Sequence, residues 1–154
     1  MADIISLIDY EEGWSEKPYL CSEGYPTAGY GFKLGPKGAP LSMYQFRLPK
    51  AAGAAWLGCL ITELTEELES HPRIGPAYRA CDDCRRAILI SMAYQMGLDG
   101  LAKWKNTLSA IERQDWGEAA SAMLNSLWAR QTPQRAKRHA EQMRTGVWCP
   151  LYRK

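Results

Sequence analysis

The sequence predicts an α+β fold, mainly α, in which a small sheet near the N-terminus precedes a long run of helices. Three observations predict it. The segment EGYPTAGYGFKLG (23–35) alternates glycines at 24, 29, 31 and 35 with Tyr25, Thr27, Tyr30 and Phe32, the pattern of short strands joined by tight turns. Residues 50–70 carry Leu57, Leu60, Ile61, Leu64 and Leu68 on one helical stripe, with Glu63, Glu66, Glu67 and Glu69 spread over the remainder. The stretch AILISMAYQM (87–96) is apolar nearly all round, which marks a helix buried in the centre of a bundle.

The elements follow in order. Residues 3–11 read as a short helix, with Asp3 able to cap it, Ile4, Leu7 and Ile8 at helical spacing, and Gly13 ending it. Residues 14–35 hold the strand-and-turn pattern, punctuated by Pro18 and Pro26. Residues 36–49, with GPKGAP at 35–40, read as an exposed loop with room for one helical turn. The helix at 50–70 would span ~30 Å, the width of a small domain, long enough to connect two lobes. Pro72 and Pro76 stop it. Residues 82–96 form the buried helix, and Gly97 closes it.

Asp115 and Glu118 have capping-box spacing. After them Trp116, Ala119, Ala120, Met123, Leu124, Leu127 and Trp128 make a stripe read as core rather than as a cofactor box. Thr132-Pro133 supplies an N-cap and a proline in the first helical position, and Gly146 ends that last helix. There is no internal repeat.

The composition narrows the function classes. The 154 residues are 46% hydrophobic and 23% charged, enough for a real core and unlike a disordered chain. Seven Arg or Lys against one acid from Arg130 to Lys154 leave the first 129 residues at a net charge of −4. A solvated basic helix face explains this most simply; an anionic polymer is the other reading. No nucleic-acid motif accompanies the basic residues, so nucleic acid is not an expected partner. No apolar run approaches the ~20 residues of a membrane span, and MADIISLIDYEEGW lacks the basic start and apolar run of a signal peptide. A cytoplasmic place of folding and no stable membrane association are therefore expected.

Five cysteines without disulfide-rich spacing fit reduced thiols. CDDC at 81–84 has no second pair or histidine cluster to complete a zinc site, and no strand before it to suit a redox motif. Neither a metal nor a cofactor is expected.

Cleaving a glycosidic bond requires a proton donor for the leaving oxygen and help for an attacking water or a covalent nucleophile. Glu12 suits the donor's part: it ends a helix whose Ile5 and Ile8 share its face, and the glycine-rich sheet follows at once. The plain alternative is a surface glutamate at a helix end, a place the helix dipole disfavours.

Reading forward, Glu12, eight residues, Cys21, five residues and Thr27 stand in the setting EGW…PYLCSEGYPTAGYG. This resembles the phage lysozymes of the T-even type, a muramidase family in which a Glu, an Asp or Cys, and a Thr occupy that spacing. The resemblance extends over nearly the whole chain through RRAILISMAYQMG (85–97), WKNTL (104–108), EAA (118–120), QTPQRAKR (131–138) and RTGVW (144–148).

It implies a lysozyme-like two-lobed fold: a sheet lobe at about 12–49, a connecting helix at about 50–70, and a helical lobe at about 71–154 packed with helix 3–11. It implies hydrolysis of the β-1,4 bond between N-acetylmuramic acid and N-acetylglucosamine in peptidoglycan. Glu12 would be the general acid, and Cys21 and Thr27 would assist the attacking water. Arg135 would correspond to an arginine that pairs with the catalytic glutamate. Tyr30, Phe32 and Gln95 would support the site or touch substrate. Phe32 stands where the commoner family sequences have histidine, so a changed packing contact is expected there.

Cys21 replaces the commoner aspartate, and a thiol is mostly neutral at pH 7 unless its surroundings favour the thiolate. The resemblance further implies a monomeric endolysin held in the host cytoplasm until released to the periplasm at lysis. The competing reading is a non-catalytic peptidoglycan-binding or structural relative.

Overall fold

The computed structural model describes residues 3–153. Its helices among these residues are α1 (Ile4–Glu12), α2 (Lys50–Ser70), α3 (Gly75–Ala80), α4 (Asp83–Ala102), α5 (Lys105–Glu112), α6 (Trp116–Leu124), α7 (Leu127–Gln131) and α8 (Pro133–Thr145). The strands β1 (Ser15–Leu20), β2 (Pro26–Gly29) and β3 (Phe32–Lys33) form one antiparallel sheet in that order. Short 3-10 turns occupy Leu41–Met43 and Pro150–Tyr152. The fold is mainly α with a small sheet, as the sequence predicts.

The chain divides into two compact units, one from Ile8 to Leu60 and the other comprising the residues up to Leu7 and those from Ile61 onward. The division falls inside α1 and inside α2. The first unit holds the sheet. Tyr19 pairs opposite Thr27 and Leu20 opposite Pro26, and the register shifts by a bulge between Ser15 and Tyr19. Thr27 pairs opposite Lys33 and Ala28 opposite Phe32, around a turn in which Gly29 and Gly31 both take positive φ. A side chain at Gly29 would meet the Phe32 ring at 2.5 Å, so that position admits only glycine.

The second unit is a helical core around α4, whose Ile88, Leu89 and Met92 are fully enclosed. Asp82 caps α4, its carboxylate accepting from the Arg85 N–H at 2.9 Å. Arg85 then binds the C-terminal end of α8: Nε donates to Met143 O at 2.6 Å and Nη2 to Arg144 O at 3.2 Å. A cation there satisfies carbonyls that no helical N–H reaches and suits the negative end of the dipole.

Three sequence expectations change. Gly97 breaks the buried helix (φ 80°, ψ 164°), but helical residues resume and run to Ala102. The stripe from Trp116 to Trp128 is not one helix. Ser126 caps a new helix by accepting from Ala129 N–H, so Ala119, Ala120, Met123 and Trp128 are buried while Leu124 and Leu127 are exposed. Periodicity in the sequence runs through because the Ser126 cap leaves the apolar spacing untouched. Thr132 sits at the N-cap of α8, yet its hydroxyl donates backwards to Trp128 O at 2.9 Å and caps nothing. Asp115, by contrast, does accept from Glu118 N–H, and Gly146 ends α8 in the left-handed conformation.

Candidate active site

Glu12 is the last residue of α1, half-buried. Gly13, at positive φ, ends the helix there and sends the chain into β1. A Cβ placed on Gly31 would lie 3.5 Å from Glu12 Oε2, so the carboxylate rests against the Gly29–Gly31 turn. Positive φ at both of its ends is why this turn is built of glycines.

Cys21 follows β1 and begins the turn that leads to β2. Its N–H donates to Tyr25 O at 3.0 Å, and its carbonyl accepts from Gly24 N–H at 2.9 Å. The loop curls the Tyr25 N–H back onto Cys21 Sγ at 3.4 Å. The thiol pKa is held below its ordinary value, chiefly by that Tyr25 N–H, with burial opposing and the Glu23 N–H and the Thr27 hydroxyl adding to the drop. Half-exposed and donor-lined, Cys21 sits in surroundings that favour its thiolate.

Thr27 is buried, and its Oγ1 donates to Tyr25 O at 2.8 Å. That hydroxyl has one proton and two acceptors beside it, the Tyr25 carbonyl and the Cys21 sulfur. Donation to the carbonyl leaves its lone pairs free to accept from a water. Tyr19 stands directly across the sheet from Thr27. Its phenol pKa is raised, first by burial and then by the negative charges of Cys21 and Glu12. All four residues belong to the unit Ile8–Leu60. Sequence reasoning passed over Tyr19; its place two residues before Cys21, on the strand that leads into it, was the available clue.

Tyr30 and Phe32 are buried in an aromatic cluster. Tyr30 meets Trp14 at a centroid distance of 4.9 Å, and Phe32 stacks on Trp56 at 4.4 Å and 25°. Lys50 lies over the Trp14 and Tyr30 rings and pairs with Asp9 at 3.3 Å. Phe32 thus stacks on Trp56 behind the turn that touches Glu12.

Arg135 and Gln95 belong to the other unit. Arg135 lies in the first turn of α8, buried, with Nη2 donating to Ser91 Oγ at 2.9 Å. Gln95 is exposed, and its Oε1 accepts from Trp128 Nε1–H at 2.8 Å. The CDDC thiols have a different character. Burial pushes Cys81 up to about 12 and Cys84 up to about 11, so both stay protonated, and the Asp82 between them is occupied as a helix cap. No cluster of three or more His, Cys, Asp or Glu suited to a metal ion occurs among the described residues, nor is any helix there long and apolar enough to cross a membrane.

Comparison with known proteins adds an independent line. Residues 9–142 match the family described as phage lysozyme. The chain is 29% identical to probable T4-type lysozyme 1 of Dictyostelium discoideum, over 96% of both chains. It is 24% identical to probable T4-type lysozyme 2 of the same organism, again over 96% of both. It is 32% identical to the pre-baseplate central spike protein Gp5 of Enterobacteria phage T4, over 86% of this chain but 26% of that longer protein.

Proposed function

The chain belongs to the phage lysozyme family, and from that premise we propose that it hydrolyses the β-1,4 bond between N-acetylmuramic acid and N-acetylglucosamine in peptidoglycan. Glu12 delivers the proton to the bridging oxygen. Cys21 and Thr27 manage the opposite side of the sugar ring, where water attacks. The observation that carries this reading is the grouping of a half-buried carboxyl, a donor-lined thiol and a threonine hydroxyl around one strand pair, with Tyr19 under the influence of both acids.

A thiolate at position 21 serves in either of two ways. It can accept a proton from water and balance positive charge at the anomeric carbon, giving inversion, or it can attack that carbon and give retention. The water route is favoured, because the Thr27 hydroxyl then has a task as acceptor and direct attack by sulfur would leave it none. Product anomers read by NMR decide this: inverted configuration is expected, and retained configuration removes the water route. Tyr30, Phe32 and Lys50 back the glycine turn on which the carboxyl rests.

In biological terms the reading is a monomeric endolysin, kept in the host cytoplasm until lysis and needing neither metal nor cofactor. Loss of turbidity of permeabilised Gram-negative cells tests it. Clearing by the wild type, with roughly thousandfold slower clearing by Glu12→Gln, is expected from the loss of the proton donor. Clearing by Glu12→Gln at the wild-type rate removes Glu12 from its role. Absence of clearing by the wild type favours the non-catalytic wall-binding reading.

A further inference from the structure

Glu12 is bracketed by three segments that meet at one cation. Asp9 lies one turn before it on α1, Trp14 follows two residues after it, and Tyr30 stands between Gly29 and Gly31 in the turn against which its carboxylate rests. Lys50 Nζ lies 3.3 Å from Asp9 Oδ1, 4.5 Å from the centre of the Trp14 ring and 4.9 Å from that of Tyr30. The two rings meet at a centroid distance of 4.9 Å. All of these residues belong to the unit Ile8–Leu60.

Local chemistry does not favour a lysine here. Lys50 is the first residue of α2, where the helix dipole disfavours a cation, and no acidic residue shares that first turn. Its side chain is held instead from distant segments: by Asp9, 41 residues away, whose carboxylate is mostly buried, and by the faces of two rings. Burial works against the charge, but the Tyr30 hydroxyl and the Asp9 carboxylate outweigh it and raise the pKa, so the ammonium stays charged. Trp14 is fixed from α2 as well. A Cβ on Gly53, one turn along from Lys50, would collide with its ring, so the segment leaving Glu12 lies against the first turn of α2.

We infer that Lys50 is a positioning residue for the reaction: its ammonium ties α1, the segment after Glu12 and the glycine turn into one frame, and so keeps the Glu12 carboxyl aimed at the bond it protonates. The inference rests on Glu12 as the proton donor. Magnitudes separate this role from that of an ordinary surface ion pair. The Lys50 side chain is 54% exposed, and exposed pairs contribute little to stability. A reacting group displaced by about 1 Å, by contrast, slows a reaction severely. Lys50 therefore matters to rate far more than to folding.

The test is steady-state kinetics on purified peptidoglycan beside urea unfolding of the same variants. Lys50→Met keeps the apolar stem of the side chain and removes its charge. It should lower kcat roughly tenfold, with KM within about twofold of the wild type and the urea midpoint nearly unchanged. Lys50→Arg, whose guanidinium can both pair with Asp9 and stack on the rings, should recover most of that loss. Tyr30→Phe keeps the ring and removes only the hydroxyl. It should cost a smaller part of kcat, and nothing further when added to Lys50→Met.

Wild-type kcat in Lys50→Met, or a loss that Lys50→Arg does not recover, overturns the inference. So does a fall in activity that only tracks a fall in the urea midpoint, the sign of a merely structural role. If Lys50→Met does not fold, Tyr30→Phe decides, and wild-type kcat there is the contrary result. Glu12→Gln separates the two layers. A severe loss there beside an unaffected Lys50→Met sinks the inference alone, and full activity of Glu12→Gln sinks the proton donor and the inference together.

Discussion

Cys21 shows how one atom's surroundings decide what it can do. A thiol is a poor substitute for a carboxylate when it is neutral, and the N–H groups of Tyr25 and Glu23 favour the charged form, as does the Thr27 hydroxyl whenever it turns from the Tyr25 carbonyl to the sulfur. In the proposed mechanism the acid limb of the pH–rate profile therefore follows the Cys21 thiol, rising as pH passes its lowered pKa. Cys21→Asp should abolish the thiol-dependent limb, because a carboxylate is already ionised above about pH 4. An unchanged acid limb in Cys21→Asp would show that the sulfur does not titrate in the reaction. The spacing of Glu12, Cys21 and Thr27 was legible in the sequence. The Tyr25 N–H that makes the thiol useful was not, since it depends on how the 21–25 turn closes.

Elements were legible where one local rule dominated. The α2 boundaries at Lys50 and Ser70 match the sequence reading because an unbroken apolar stripe ends shortly before prolines. The stripe after Trp116 misled because Ser126 starts a new helix without disturbing the apolar spacing, and a serine cap is invisible to periodicity. Thr132 misled for a related reason: a threonine next to proline can bond backwards to the preceding turn as well as forwards.

The link from α4 to the end of α8 through Arg85 was equally hidden, since 58 residues separate Arg85 from Met143. It carries a stability prediction. Asp82→Ala removes both the cap of α4 and the carboxylate that pairs with Arg85 at 2.6 Å. Urea unfolding should show a loss of about 1 kcal/mol or more. A loss below the error of the measurement would mean that neither contact contributes.

For the molecule as a whole, buried titratable groups bracket the pH range of greatest stability. His139 is neutral in the fold with a pKa well below the usual 6.5, so the unfolded chain binds more protons as pH falls below about 6.5, and stability drops on that side. Cys81 and Cys84 stay protonated up to about 12 and about 11, so the unfolded chain loses protons first as pH rises past about 8.5, and stability drops there too. Melting temperatures across pH should form a plateau between these limits. His139→Gln should flatten the acid side, and an acid side left unchanged would contradict the assignment of a buried neutral imidazole.

The account rests on Glu12 protonating a glycosidic oxygen so that water completes the cleavage. Mass spectrometry of purified peptidoglycan digested by the wild type and by Glu12→Gln measures this most directly. The wild type should release muropeptides whose N-acetylmuramic acid ends have gained one water, and Glu12→Gln should release almost none. Equal release by Glu12→Gln, or wild-type products ending in anhydro sugars, would contradict the account.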